Sequence, residues 1–356
     1  MQGQNAHNDR EGERLFEKET FAGNGRTCLT CHTRETGTIS PQDAQKRFLA
    51  DRHDPLFAHD GSDDGRGNGV RRMLTEATIL VEIPLPPNVS LAGDPQARSV
   101  VVRRGIPTTL NTPALDRVLM MDGREPDLPT QAGNAIRNHA QSARFLQDSE
   151  LRAIANFELT DRFFSSIALR NFAKGGKPPT LPAGRTDSEI RGRKFFEDVP
   201  PIDGKAGLCS ACHSGPMLDQ TNQFLPFPLP PGSRFQTVLV SELNAAHNPV
   251  HEFIFRNKDG STSRIKSPDP GRALITGDAQ SPLFDSVNAF KIPSLWGVRR
   301  TAPYFHDNSA RTLEDVMAHY AKFFAIVTTP SGGGPPQIVL TPQDQADIVS
   351  YMKLLD

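Results

Sequence analysis

The amino-acid sequence predicts an all-α fold in which one helical unit occurs twice, with long loops and one small β-hairpin. The pentapeptide Cys-Xaa-Xaa-Cys-His occurs at residues 28–32 and again at 209–213. Residues 12–16, Gly-Glu-Arg-Leu-Phe, precede the first copy much as residues 192–196, Gly-Arg-Lys-Phe-Phe, precede the second. Amphipathic helical patterns flank both copies. The chain is therefore predicted to be an internal duplication.

The first unit contains three predicted helices and the predicted hairpin. Residues 9–21 have an amphipathic pattern with a leucine and a phenylalanine on the inner side. Residues 79–83 and 99–103 are short β-type runs separated by a proline-rich segment, which predicts two paired strands. We expect a further helix over 127–139 and another that begins near Asp148.

A glycine- and proline-rich stretch separates the two units. Residues 174–185 have the sequence Lys-Gly-Gly-Lys-Pro-Pro-Thr-Leu-Pro-Ala-Gly-Arg, which is typical of a linker. We therefore predict an N-terminal domain over residues 1–173, a linker over 174–186 and a C-terminal domain over 187–356.

The second unit ends in two predicted helices. The segment Thr312-Leu-Glu-Asp315 is a capping box in which Asp takes the usual Glu position, and it predicts a helix to about Val327. Thr341-Pro342 predicts the start of a last helix that continues to Leu355, because proline is favoured at the first helical position.

Composition limits the function classes. The 356 residues carry a formal net charge of −1, so nothing indicates nucleic acid or an anionic membrane as a partner. No apolar run approaches the length of a membrane span. The four cysteines all lie in the two pentapeptides.

The pentapeptide is the attachment signature of a c-type haem. Each motif supplies two thiols for thioether bonds to the haem vinyl groups, from Cys28 and Cys31 in the first copy and from Cys209 and Cys212 in the second. The histidines that follow them would be the proximal iron ligands. These are His32 and His213. A single zinc site is a poor alternative, since zinc-binding pairs lie closer in sequence and zinc does not explain a histidine after each pair.

Two covalently bound haem c groups also predict the compartment. Haem c is attached outside the cytoplasm, whereas the chain starts with the polar run Met1-Gln2-Gly3-Gln4. We therefore expect that a signal peptide has been removed and that the protein resides in the bacterial periplasm.

The duplicated haem unit resembles a known family. Residues 292–315 are Ile-Pro-Ser-Leu-Trp-Gly-Val-Arg-Arg-Thr-Ala-Pro-Tyr-Phe-His-Asp-Asn-Ser-Ala-Arg-Thr-Leu-Glu-Asp, which is similar to the bacterial di-haem cytochrome c peroxidase family, including its MauG-type branch. The resemblance covers about residues 10–355. It implies two cytochrome c-like domains with the haems near their interface. It also implies that the N-terminal haem reacts with hydrogen peroxide and that the C-terminal haem relays electrons or stores oxidising equivalents.

The family pattern at the first haem continues Phe-Trp-Asp-Gly-Arg, with a glutamine ten residues after the tryptophan and a glutamate ten further on. Gln131 matches, but Met121 stands in place of the tryptophan and Gln141 in place of the glutamate. Methionine is a poorer carrier of an electron hole than tryptophan, and glutamine cannot shuttle the proton that glutamate would.

His139 is the titratable side chain next to that position. It could replace the glutamate in proton transfer, or ligate the first iron as a sixth ligand, or be a histidine at a helix end without such a role. His53 and His59 follow the first motif where the family places a switchable distal histidine, although we expect both to be loop residues.

At the second haem, the resemblance implies an axial ligand eight residues after Thr312, which is Tyr320. A tyrosinate is a hard anionic donor that lowers the iron potential. Met317 and His319 are rival ligands, and the structural alternative is a tyrosine packed in the helix core.

Three further positions are implied by the resemblance. His306 matches a histidine near the second haem. Main-chain oxygens of Thr301 and Pro303 match a possible interdomain calcium site, although its asparagine from the first domain is here Gly105 or Ile106. Trp296, the single tryptophan, is expected to serve packing.

The leading functional hypothesis is therefore a periplasmic peroxidase-like oxidoreductase. It would use hydrogen peroxide at the first haem and oxidise an electron-donor protein or a protein substrate through high-valent iron, as a monomer or homodimer. Two alternatives stay open, an electron-transfer di-haem cytochrome and a haem-dependent oxygenase of an organic substrate. The changes at Met121 and Gln141 favour the first alternative, while Gln131 and Tyr320 oppose it.

Overall fold

A computed structural model describes residues 2–201, 204–225, 229–245, 248–280, 286–328 and 337–356. The α-helices of this part of the chain are α1 Gln2–Glu17, α2 Pro41–Ala50, α3 Arg71–Glu76, α4 Thr112–Leu115, α5 Leu128–Asn138, α6 Asp148–Glu158, α7 Ile167–Ala173, α8 Asp187–Arg193, α9 Val240–Leu243, α10 Ala273–Thr276, α11 Leu313–Val327 and α12 Pro342–Met352. The strands are β1 Thr78–Pro84, β2 Val89–Leu91, β3 Ser99–Gly105, β4 Phe235–Gln236, β5 His251–Arg256, β6 Thr262–Ser267 and β7 Phe290–Lys291.

The same helix pairing occurs in both units. Helix α1 packs on α6 in the first unit, and α8 packs on α12 in the second. Each contact passes over a glycine of the repeated pattern, because a side chain at Gly12 would collide with the Ala153 carbonyl and one at Gly192 with the Asp347 carbonyl. The repeat seen in the sequence is thus a repeat of backbone packing.

The capping box predicted at Thr312 is present, and side chains also cap other helices. The Thr312 hydroxyl accepts a hydrogen bond of 3.0 Å from the Asp315 amide, and the Asp315 carboxylate accepts one of 3.0 Å from the Thr312 amide. Asp127 caps α5 through the Thr130 amide at 2.8 Å. The first helix extends over 2–17 rather than 9–21, and the last ends at Met352, three residues before the predicted end.

The expectation of an all-α fold is confirmed only in part, since 36% of the chain is helical and seven strands form three small sheets in the described ranges. The predicted hairpin exists as the antiparallel pair β1 and β3, in the register Thr78 to Gly105 through Pro84 to Ser99. The other two sheets were missed. The pairs β2–β5 and β4–β7 join strands that are distant in sequence, whereas β5 and β6 form a local antiparallel hairpin that the sequence analysis did not identify.

One of these sheets joins the two units. Strand β2 of the first unit pairs with β5 of the second, and β5 continues to β6. Phe253 and Phe255 of β5 are fully buried in a hydrophobic core that also contains Ile79, Ile83 and Val102 of the first unit. A segment of the predicted C-terminal domain therefore completes a core of the N-terminal one.

A buried ion-pair network crosses the same boundary. Arg104 donates to the Asp269 carboxylate at 2.6 and 3.0 Å and also to Asp122, whose carboxylate accepts further bonds of 3.0 Å from Arg124. The Arg104, Asp122 and Asp269 side chains are at most 3% exposed. Burial opposes the ionised form of Asp122, but the Arg104 and Arg124 charges hold its pKa below the usual value.

No helix in the described ranges is both long and apolar enough to span a membrane.

We predict that Asp269→Asn destabilises the haem-loaded protein by about 3 kcal/mol, because it removes one partner of a buried arginine. The measurement is the free energy of unfolding in urea. Arg264→Ala is the matched control, since its 2.9 Å ion pair with Glu252 lies on the exposed face of β5 and β6. Equal urea midpoints for the two variants would contradict a stabilising role for the buried network.

Candidate functional site

The two pentapeptides fold into the same tight turn. The His32 amide donates to the Cys28 carbonyl at 2.9 Å, and the His213 amide donates to the Cys209 carbonyl at 2.8 Å. The same backbone turn in both copies fits their common sequence signature for haem attachment.

Each motif histidine is held through its Nδ1 atom. Nδ1 of His32 bonds the Gly37 carbonyl at 2.8 Å, and Nδ1 of His213 bonds the Leu218 carbonyl at 2.9 Å. Since a carbonyl only accepts, Nδ1 carries the proton and Nε2 keeps its lone pair for a metal. Burial lowers the pKa of both imidazoles, which favours the neutral form that a metal binds.

The cysteines are free thiols in apolar surroundings. Burial raises the pKa of Cys28 and Cys209, and it raises the pKa of Cys212 to about 12. Such thiols are poorly suited to redox exchange, which needs a stabilised thiolate. Moreover, no group of three or more His, Cys, Asp or Glu in the described part of the chain could hold a metal ion, which argues against one shared zinc site.

Both motif histidines face one cavity of about 360 Å³ between the units. Its lining is mainly apolar and comes from both halves of the chain, including Leu119, Leu128, Phe323 and Met352. A large apolar cavity that is lined by two neutral imidazoles and by the thiols of Cys209 and Cys212 fits haem better than a polar metabolite.

The structure brings together some of the residues predicted for the first haem and separates others. Met121 and Gln131 line the cavity with His32. Gln141 does not line it; this side chain is exposed and accepts a hydrogen bond of 3.1 Å from Asn24. The glutamine at the position of the family glutamate thus lies outside the cavity, and a catalytic role for it stays a prediction.

His139 is also outside the cavity lining, but a buried carboxylate holds it. Its Nδ1 lies 2.5 Å from the Asp60 carboxylate, which forms an ion pair with Arg26. Arg26 also donates to the carbonyls of Pro55, at 2.8 Å, and His139, at 3.1 Å. Burial would raise the pKa of Asp60, but the bond from His139 and the Arg26 charge hold it below the usual value. The histidine is therefore fixed in orientation rather than free on the surface.

Sequence reasoning missed Arg26 and Asp60, which are separated by 34 residues. The other two candidate histidines do not line the cavity. His53 is exposed in a loop, and the His59 carbonyl accepts a 2.6 Å bond from Ser62 within a short turn.

The second haem position has two candidate ligands in the cavity. Tyr320 and Met317 both line it with His213, whereas His319 lies elsewhere and its Nε2 bonds the Val238 carbonyl at 2.7 Å. Burial, with smaller effects of Cys212 and Cys209, raises the pKa of Tyr320. The phenol would thus ionise at neutral pH only beside a cation such as a metal ion.

His306 lines the cavity and is well positioned by its neighbours. Its ring stacks on Phe290 with centroids 3.7 Å apart, and its Nε2 lies 3.4 Å from the Ser241 hydroxyl. Trp296 is buried and donates to the Pro216 carbonyl at 2.8 Å, in keeping with a packing role.

The possible calcium site stays a prediction. Thr301 and Pro303 line the cavity. Nearby, the Asn308 amide of the second unit packs on Gly105 and donates to the carbonyls of Glu76 and Ala77 at 2.9 and 3.0 Å. An asparagine thus lies beside Gly105, although it comes from the other half of the chain.

Comparison with known proteins points to haem peroxidases. The chain is 25% identical over 224 residues to a cytochrome c551 peroxidase of Nitrosomonas europaea, which covers 59% of this chain and 56% of that protein. It is 23% identical over 282 residues to the cytochrome c peroxidase IdrP2 of a Pseudomonas strain, covering 71% and 68%. The chain thus spans little more than half the length of the first relative. No family model matches the sequence.

Solved structures show the same fold over almost the whole chain. A MauG-like protein associated with microbial copper homeostasis aligns with a TM-score of 0.53 and 20% identity, covering 98% of this chain and 88% of the other. The di-haem peroxidase BthA from Burkholderia thailandensis aligns with a TM-score of 0.51 and 15% identity, covering 98% and 86%. At these identities the likeness establishes the fold alone.

We predict that Tyr320→Phe changes the optical and EPR spectrum of one of the two haems, because it removes the phenolic oxygen that faces the cavity. Tyr351→Phe is the matched control, since its hydroxyl is buried on the Pro182 carbonyl at 2.9 Å, outside the cavity. An unchanged spectrum in Tyr320→Phe together with a changed one in Met317→Leu would assign the ligand to Met317.

Proposed function

We propose that this chain is a periplasmic oxidoreductase that consumes hydrogen peroxide. It belongs to the bacterial di-haem cytochrome c peroxidase family and shares the fold of a MauG-like protein. The oxidised partner would be a small electron-donor protein or a protein substrate. The observation that carries the proposal is the shared cavity that both motif histidines line together with Gln131 and Tyr320.

The residues that would hold the two haems are the motif residues. Cys28 with Cys31, and Cys209 with Cys212, would form the thioether bonds. Nε2 of His32 and Nε2 of His213 would ligate the irons, since Nδ1 of each ring bonds a carbonyl. When bound, haem iron supplies one-electron redox chemistry and reactivity toward peroxide.

On the first side, this chain offers the Gln131 amide in the cavity and the His139 imidazole, which lies outside the cavity lining but whose charge acts on His32. Gln131 lines the cavity near Met121, and its side-chain amide can donate a hydrogen bond to a bound oxygen. His139 can exchange a proton at Nε2, because Asp60 accepts at Nδ1 and thereby fixes the tautomer. Such an arrangement is typical of a general base oriented by a carboxylate.

On the second side, Tyr320 supports storage of oxidising equivalents. A tyrosinate would lower the potential of its iron, whereas the thioether of Met317 would raise it. The two sides are joined by a hydrogen bond of 2.7 Å from the Lys291 amide to the Met121 carbonyl, which holds the loop with Met121 against the second unit.

A di-haem electron carrier without peroxide chemistry is the second candidate. The exposed Gln141 favours it, because no family-type glutamate is available at that position. Methionine at position 121 favours it as well, since it is a poorer hole carrier than tryptophan.

Addition of one equivalent of hydrogen peroxide to the diferric protein distinguishes the candidates. We predict that the ferric EPR signals of both haems are lost within the same kinetic phase, since one cavity connects the two sites. If both haems are low-spin and their EPR and optical spectra do not change when peroxide is added, the electron carrier becomes the better proposal.

We predict that His139→Ala slows the reaction with peroxide at least about 100-fold, the lower range for loss of a general acid–base group. Stopped-flow absorbance of the ferric Soret band measures the rate. His53→Ala is the control, since this histidine is exposed in a loop. A faster reaction in His139→Ala would instead identify His139 as a ligand that closes the first iron.

A further inference from the structure

Glu158 is a buried carboxyl that no part of the proposed function uses. It is the last residue of α6, is 5% exposed, and lines the cavity that His32 and Gln131 also line. Its Oε2 atom is buried and has no hydrogen-bond partner in the described part of the chain. A polar atom in this state is rare in proteins and costs stability, so its presence calls for a role.

The packing of α6 explains why the side chain faces the cavity. Phe157 packs against Phe16 of α1 with ring centroids 5.5 Å apart, and the ring centroids of Phe16 and His32 are 6.4 Å apart. Glu158, which follows Phe157, therefore comes close to the first haem motif. Burial, followed by the charge of Glu158, raises the pKa of the Cys28 thiol, which places the carboxyl near the attachment point.

Among the residues that the structure describes, no cation compensates the Glu158 carboxylate. Cys28 is the titratable group that faces it. The charged groups on the neighbouring elements are either paired with one another or exposed to solvent. The pairs are Arg14 with Glu11 and Glu19, Arg34 with Glu13 and Glu17, and Arg144 with Glu150. The exposed residues are Arg137, Arg152, Asp161 and Arg162. Burial alone raises the pKa of Glu158 to about 8.

We infer that Glu158 is the proton-exchanging carboxyl of the first haem site, which takes up a proton when that haem gains an electron. The inference requires haem at Cys28 and Cys31, as proposed above, but not peroxidase activity. One electron passes from an external one-electron donor to the haem, and one proton passes from water to the carboxylate. The cavity then gains no net charge.

The physical reason is the cost of charge in an apolar cavity. A carboxylate near ferric haem is favoured by the iron charge, and reduction of the iron removes that attraction. The carboxyl therefore binds protons more tightly in the reduced state. By linkage, reduction becomes harder as the pH rises between the pKa values of the oxidised and reduced states.

We predict that the ratio of reduced to oxidised first haem at fixed potential falls up to tenfold per pH unit over a window near pH 8, which corresponds to about 59 mV per unit. In Glu158→Gln this dependence is lost, because the amide has the same shape and no titratable proton. The measurement is a spectroelectrochemical titration of the haem-loaded protein at several pH values, with the second haem as an internal reference.

Asp148→Asn is the matched control, since it makes the same charge change on the exposed first turn of α6. In this variant, the reduced-to-oxidised ratio of the first haem should change with pH as steeply as in the wild type. Glu158→Leu, which suits an apolar site, should behave like Glu158→Gln if the latter folds poorly.

Redox-difference infrared spectra provide a second measurement. The carbonyl stretch of a protonated carboxylic acid should accompany reduction in the wild type and vanish in Glu158→Gln. An equal pH slope in wild type and both Glu158 variants would overturn the inference while leaving the proposed function intact. Absence of covalent haem by the pyridine haemochrome assay would instead overturn the proposed function.

Discussion

The hydrogen bond from each motif histidine to a carbonyl five residues further along the chain sets the geometry on which both sites depend. It fixes the protonated nitrogen and directs Nε2 away from the backbone. Both copies keep this bond although the loops around them differ in sequence. We therefore expect any functional difference between the two sites to arise from the other residues that line the cavity, among them Gln131 and Glu158 of the first unit and Tyr320 of the second.

The two haem sites differ in the ionisable groups that line them. The first contains the neutral amide of Gln131 and the Glu158 carboxyl, for which the described residues supply no counter-ion. The second offers a phenol that would ionise only beside a cation. A site that exchanges protons suits a reaction in which oxygen atoms leave as water, and a site with an anionic ligand suits an iron that stays oxidised. One duplicated unit can thus support two kinds of redox behaviour.

Local features were predictable from the sequence, and long-range ones were not. The capping pairs at Thr312 and Asp127 act within one helical turn, so their residue types alone predict them. Asp60 lies 79 residues from His139, and Arg104 lies 165 from Asp269, so no local pattern connects the members of either pair. One sequence signal for Glu158 was overlooked. It is a charged residue that directly follows the buried Phe157 at the end of an apolar helix face.

Pairing of β2 with β5 makes the duplicated halves interdependent. An isolated N-terminal half would lack Phe253 and Phe255 from one of its cores, and an isolated C-terminal half would expose the edge of β5 to other chains. The repeat in the sequence is therefore not matched by two independent cores. During synthesis the first half has to wait for residues 251–274 before its own packing is complete.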